Sequence, residues 1–224
     1  MNINLIALAN DLRLKLEAAG IPFNSSGYPI VPADMLIKEL PAEIVPFGHR
    51  KSCRYPERTI LCFFSKDELL YRRLRKLDED NELCREYMGV CGFDLSPCIG
   101  YDKKLQEFNL LLNQLVNAYR IINGVKVLPN FRIGDLDTLS SLLSYPAGTW
   151  YAAGTLGCAR GWVDENIYLL KAKLLYARPG HLLIYGPLRN EYAEILKETG
   201  QDYTVFNDYQ RVSRAKNRDQ ALHG

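Results

Sequence analysis

Charged, hydroxyl and amide side chains recur in this chain just after short apolar runs, and chemistry is expected there. Ser65, Lys66 and Asp67 follow the run 59–64, Asp94 and Ser96 follow 89–93, and Asn130, Arg132 and Asp135 stand at the end of 125–131. Thr155 and Cys158 follow 150–154, Tyr185 closes 181–185, and Asn207 and Asp208 follow 203–206. A charge just beyond a buried strand must be paired or solvated, because an isolated charge in an apolar interior is very costly. The expected catalytic set is therefore Asp94, Arg132 and Asp135. Its carboxylates would act as acid, base or metal ligand, and its guanidinium would anchor an anion. Ser96, Asn109, Asn113, Asn130, Thr155, Cys158 and Tyr185 are the expected ligand-binding residues. A plainer role stays open for each aspartate: Asp135 as the N-cap of the next helix, Asp94 as a turn cap before Pro97.

Asn109 and Asn113 enter through a different pattern. Asp102, Gln106, Asn109, Asn113, Asn117 and Arg120 step by three or four, so they share one face of a helix expected over 102–123. The rest of that helix is mostly apolar, which implies enclosure. A solvent face would carry Lys and Glu, whereas amides suit a buried backbone, another subunit or a ligand. Cys158 lies in a glycine-bearing stretch, 154–158, whose backbone amides could form an anion nest. No histidine is near it in sequence, so a packed thiol competes with a nucleophile.

These residues need elements to hold them. Six apolar runs (59–64, 89–93, 125–131, 150–154, 181–185 and 203–206) alternate with helical stretches, the pattern of parallel β-α-β units. The expected fold is α/β, with six parallel strands in a barrel-like or partly closed barrel, and an open doubly wound sheet as the alternative. In either, the site lies at the carboxyl ends of the strands. Residues 1–57 read as an N-terminal helix (3–19) and a proline-rich wrapping segment with one short helix (33–40). Residues 58–210 read as the α/β domain, and 211–224 as a basic flexible tail.

The chain has 224 residues and a net charge of +2, too weak a bias for a surface built around nucleic acid. No apolar run approaches the ~18 residues that would cross a bilayer, and the start lacks a signal-peptide pattern, so the cytoplasm is the expected compartment. Six cysteines include no C-x-x-C pair. No metal ligands are assigned and free thiols are expected. The cofactor stays unknown.

Several stretches together resemble a known family. They are Ile44-Val45-Pro46-Phe47, Phe63-Phe64 with Asp67, Phe93-Asp94-Leu95-Ser96, the spaced Gln106, Asn109 and Asn113, the run from Leu128 to Asp135, Gly154 to Cys158, and Ile184-Tyr185-Gly186. Over residues 44–206 they are similar to the "domain of unknown function 4417" family of phages and mobile elements. The Pro129-Asn130-x-Arg132-x-Gly134-Asp135 stretch is the most specific part. The resemblance adds weight to Asp94, Asn109, Asn130, Arg132 and Asp135 and implies no defined activity. The chain departs from the family pattern at Ile133, Leu156 and Gln114, where the family favours Trp, a polar residue (often His) and Arg.

The resulting expectation is a phage or mobile-element accessory protein, in the host cytoplasm if phage-encoded. Its polar strand-end pocket would bind a nucleotide-like or anionic ligand, or catalyse a reaction on it. The alternative is a non-catalytic modulator that binds a host or defence protein.

Overall fold

A computed structural model of the protein describes residues 3–154, 163–209 and 211–212. Among these, seven strands form two parallel sheets. Strands β1 (Glu43–Pro46), β2 (Thr59–Cys62), β3 (Gly89–Cys91) and β4 (Val127–Leu128) make the first, in that order. Strands β5 (Trp150–Gly154), β6 (His181–Tyr185) and β7 (Tyr203–Phe206) make the second. Every neighbouring pair is parallel and consecutive in the chain.

The expectation of six strands in a barrel is corrected on both counts. The extra strand is β1, hidden in the proline-rich segment, and no closed barrel forms among the described residues. A doubly wound sheet is not seen either, since neither sheet reverses its strand order. The two sheets meet at one bridge past β4, where Phe131 N donates to Ala152 O and Ala152 N to Pro129 O, both at 2.7 Å. Lower on β4 the same edge is occupied by the N-terminal segment, with Ile37 N donating to Val127 O at 3.0 Å. That wedge is why the β4–β5 ladder stops at a single bridge.

Alternation along the strands sets two faces. Ile44, Ile60, Cys62, Cys91, Leu128, Ala152, Leu183 and Tyr185 gather into one inner apolar cluster shared by both sheets. Their neighbours, including Val45, Leu61, Val90, Val127, Tyr151 and Leu182, join a larger core with the helices.

The helices are α1 (Leu5–Ala18), α2 (Asp67–Arg73), α3 (Leu77–Cys84), α4 (Lys103–Ile122), α5 (Val163–Ala177) and α6 (Asn190–Glu198). Asp102 caps α4, accepting from Lys104 N at 2.9 Å. Elsewhere local chemistry departs from expectation. The stretch 33–40 keeps only a three-residue 3-10 turn, Ala33–Met35, because residues 36 and 37 pair with β4 instead. Residues Leu136–Ser144 are 3-10 rather than α-helical. Lys66 stands at the N-cap of α2, with no side-chain capping bond. None of the described helices is long and apolar enough to cross a membrane.

Candidate functional site at the carboxyl ends of the strands

Among the described residues the segment after β3 has no strand neighbour for its backbone, and α4 supplies partners for it. Asn117 Oδ1 accepts from Phe93 N at 2.8 Å. Asn113 binds Leu95 twice, accepting from its N–H and donating to its C=O, each at 2.9 Å. Asn109 donates to Ser96 O at 2.9 Å. The amide stripe is therefore buried, as its spacing implies, and acts as a rail for residues 93–96. Gly92 makes the fit possible: a Cβ there would lie 3.0 Å from Asn117 Nδ2. From the α2 side, Asp67 accepts from both Ser96 N and Ser96 Oγ, at 3.2 and 3.1 Å.

The stretch after β4 is stapled to the same segment. Asn130 Nδ2 donates to Gly92 O and to Asp94 Oδ1, at 2.9 and 3.2 Å. Arg132 Nη1 reaches both Asp94 oxygens at 2.7 Å. Asp94 is 6% exposed. Burial pushes its carboxyl above the usual carboxylate range, against the pull of the Arg132 guanidinium. Gly134 and Asp135 close a second clip. Gln106 accepts from Asp135 N at 2.6 Å and donates to Asp135 Oδ2 at 2.7 Å, while Asp135 Oδ1 accepts from Gly100 N at 3.0 Å. A Cβ at residue 134 would land on Gln106 Oε1.

Between these rims and the second sheet lies a cleft of about 490 Å³. Asp94, Ser96, Asn130, Arg132 and Tyr185 line it, together with Phe64, Cys98, Phe131, Lys173, Arg189 and Tyr192. Tyr185 sits 5.6 Å from the Phe64 ring, and its hydroxyl accepts from Tyr209 N at 2.8 Å. Lys173 Nζ donates to Phe131 O at 3.0 Å and lies 4.6 Å from the Phe131 ring centroid.

The structure thus brings five of the ten expected site residues to one cleft. Asn109, Asn113 and Asp135 stand outside its lining: the first two hold backbone and the third pins the loop 97–101. As an N-cap of the following turn, Asp135 makes no side-chain capping bond. Thr155 and Cys158 lie outside the described residues. Sequence reasoning passed over Lys173 and Arg189. Lys173 carries a readable signal, a cation four and three residues after Leu169 and Leu170 and so on their face of the helix, and Arg189 follows the Gly186-Pro187 turn past β6. Among the described residues Cys53, Cys62, Cys84, Cys91 and Cys98 are all free thiols. Burial pushes Cys62 up to about 12. No cluster of His, Cys, Asp or Glu among the described residues could hold a metal ion.

Compared with known proteins, residues 23–210 match the family model described as Domain of unknown function (DUF4417). No curated protein and no solved structure matches.

Proposed function

The chain belongs to the DUF4417 family, and from its cleft we propose that it holds a small organic anion at the carboxyl ends of its strands. The carrying observation is that three cationic side chains, Arg132, Lys173 and Arg189, line one cleft, with Asp94 paired to Arg132 at its rim. Cationic side chains lining a walled cleft concentrate and orient anions. The volume falls within the range of about 300–1,000 Å³ common for small-molecule sites. A nucleotide-like molecule is one member of this ligand class. If turnover accompanies binding, Asp94 is the acid or base, because a carboxyl pushed up by burial exchanges its proton closer to neutrality. Asp135 then positions the rim rather than reacting.

Thermal-shift screening of the full chain against nucleotides, sugar phosphates and carboxylates tests this, since a ligand of the native state alone raises its melting temperature. Arg189→Ala should fold normally and weaken the hit about tenfold or more, the scale of one charged hydrogen bond. Arg132→Ala strands the Asp94 charge, so it is paired with Asp94→Asn/Arg132→Ala. The double variant should regain stability without regaining binding. A screen without any anion hit would favour the protein-binding alternative.

A further inference from the structure

We infer that the ligand of this cleft is amphipathic: an anionic head on a single aliphatic chain, with the chain lodged between β6 and helix α6. The inference rests on the anion-binding reading above and adds what lies beside the charged end.

The cleft has two chemically distinct sides. On the side of β3 and β4 stand Asp94, Asn130 and Arg132, with Lys173 tied to them through its bond to Phe131 O. On the side of β6 and α6 the lining includes the aliphatic Leu182, Ile184, Leu188 and Leu196, continued by Leu169 and Leu170 of α5, besides Tyr185, Arg189 and Tyr192. Leu182, Ile184 and Leu196 are 1%, 3% and 2% exposed. A cleft that touches side chains so deeply buried runs inward, between sheet and helix, rather than across the surface. Leu182 and Ile184 are on the helix-facing side of β6, as the inner-cluster positions of Leu183 and Tyr185 require.

The six aliphatic side chains offer no donor or acceptor. A purine or pyrimidine seated against these six would leave its edge N–H and C=O groups unpaired, which selects against nucleobases there. A saturated or prenyl-like chain leaves nothing unpaired and gains from every methylene it removes from water. The cations of the cleft, Arg132, Lys173 and Arg189, fit a carboxylate or a phosphate head equally, so the head is an anion of either kind.

The experiment is calorimetric titration of the full chain with two homologous series, alkyl carboxylates and alkyl phosphates of two to twelve carbons, below their micelle-forming concentrations, and with a nucleoside monophosphate. Affinity should rise about fourfold per added methylene until the pocket is filled, and the better series names the head. Every alkyl phosphate of eight or more carbons should outbind the nucleotide. Leu188→Trp, at a half-buried loop position, should lower affinity for the long members at least tenfold and leave the short ones unchanged. The wild-type series gives the answer without that variant if it fails to fold. Anions binding with no dependence on chain length, or a nucleotide binding tighter than any alkyl phosphate, would overturn the amphipathic ligand and leave the anion site standing. Failure of every anion, short or long, would overturn both. Sedimentation with phosphatidylglycerol vesicles should leave the protein in solution. Co-sedimentation would replace the free single-chain ligand with a lipid surface.

Discussion

Two arginine–aspartate arrangements lie in the first half of the fold, and they solve the burial of charge in opposite ways. At the rim, Arg132 and Asp94 meet directly at 2.7 Å and Asn130 completes the contact. In the interior, Arg120 of α4 is 0% exposed and lies 4.1 Å from the Phe63 ring and 5.8 Å from that of Phe93. Its Nη1 donates to Cys84 Sγ at 3.8 Å, and among the described residues its Nε and Nη2 find no partner. The nearby Asp80 is bound instead by Arg73 at 2.9 Å, with Oδ2 unpartnered, and both polar atoms of Asn81 are unpartnered too. Burial pushes Arg120 down and Asp80 up. The rim pair is fixed by direct bonds and remains within reach of the cleft. The interior charge is held by ring faces and by the field of a carboxylate it does not touch.

The contrast fails if the two aspartates are worth the same. Asp80→Ala should cost about 3–5 kcal/mol in urea unfolding, because it leaves buried Arg120 without compensating charge. Asp94→Ala should cost only about 1–2 kcal/mol, since the Arg132 side chain is 23% exposed and can turn to solvent. Equal losses would mean that the interior charge is compensated by something other than Asp80.

A second, smaller effect separates the bonds of the amide rail. Asn113→Leu orphans both the N–H and the C=O of Leu95 and should cost about 2–4 kcal/mol, whereas Asn109→Leu orphans only Ser96 O and should cost about 1–2 kcal/mol. Equal costs would show that the rail acts as one unit rather than bond by bond.

The smallest effect lies in the second sheet, at His181. Its ring stacks near Trp150 and shares a bond with Thr204 Oγ1 at 2.9 Å. Burial lowers its pKa from the ordinary 6.5, with Asp202 opposing. The folded state therefore disfavours the proton. The stability this residue contributes is present above pH 6.5 and is lost as the pH falls through the folded value. Unfolding midpoints between pH 5 and 7.5 should fall on the acid side in the native protein and flatten in His181→Gln. An unchanged slope would put the titration elsewhere.

Legibility in the sequence followed how local the cause was. The strands β5, β6 and β7 and the stripe on α4 could be read because period and spacing specify them. β1 could not be read: its four residues end in Pro46, and proline hides a strand unless that strand is known to be an edge, as β1 is. Asp94 and Arg132 stood out because a charge after an apolar run needs a partner. Arg189 did not, since only the tertiary arrangement brings the residue after the Gly186-Pro187 turn to the cleft, and the signal at Lys173 is outweighed because basic side chains on helices usually face solvent. Arg120 reads as the polar end of a stripe, whereas its guanidinium lies against the rings of Phe63 and Phe93, just past β2 and β3.

The wedge of Leu36 and Ile37 against β4 has a consequence for how the chain is made. Its hydrogen-bond partner at Val127 lies roughly ninety residues downstream. At the ~5–20 residues per second of protein synthesis, the wedge leaves the ribosome roughly five to twenty seconds before its seat exists. Through that interval two buried-to-be aliphatic side chains stay uncovered beside the nascent β1, and the first sheet cannot finish its last edge until the fourth strand arrives.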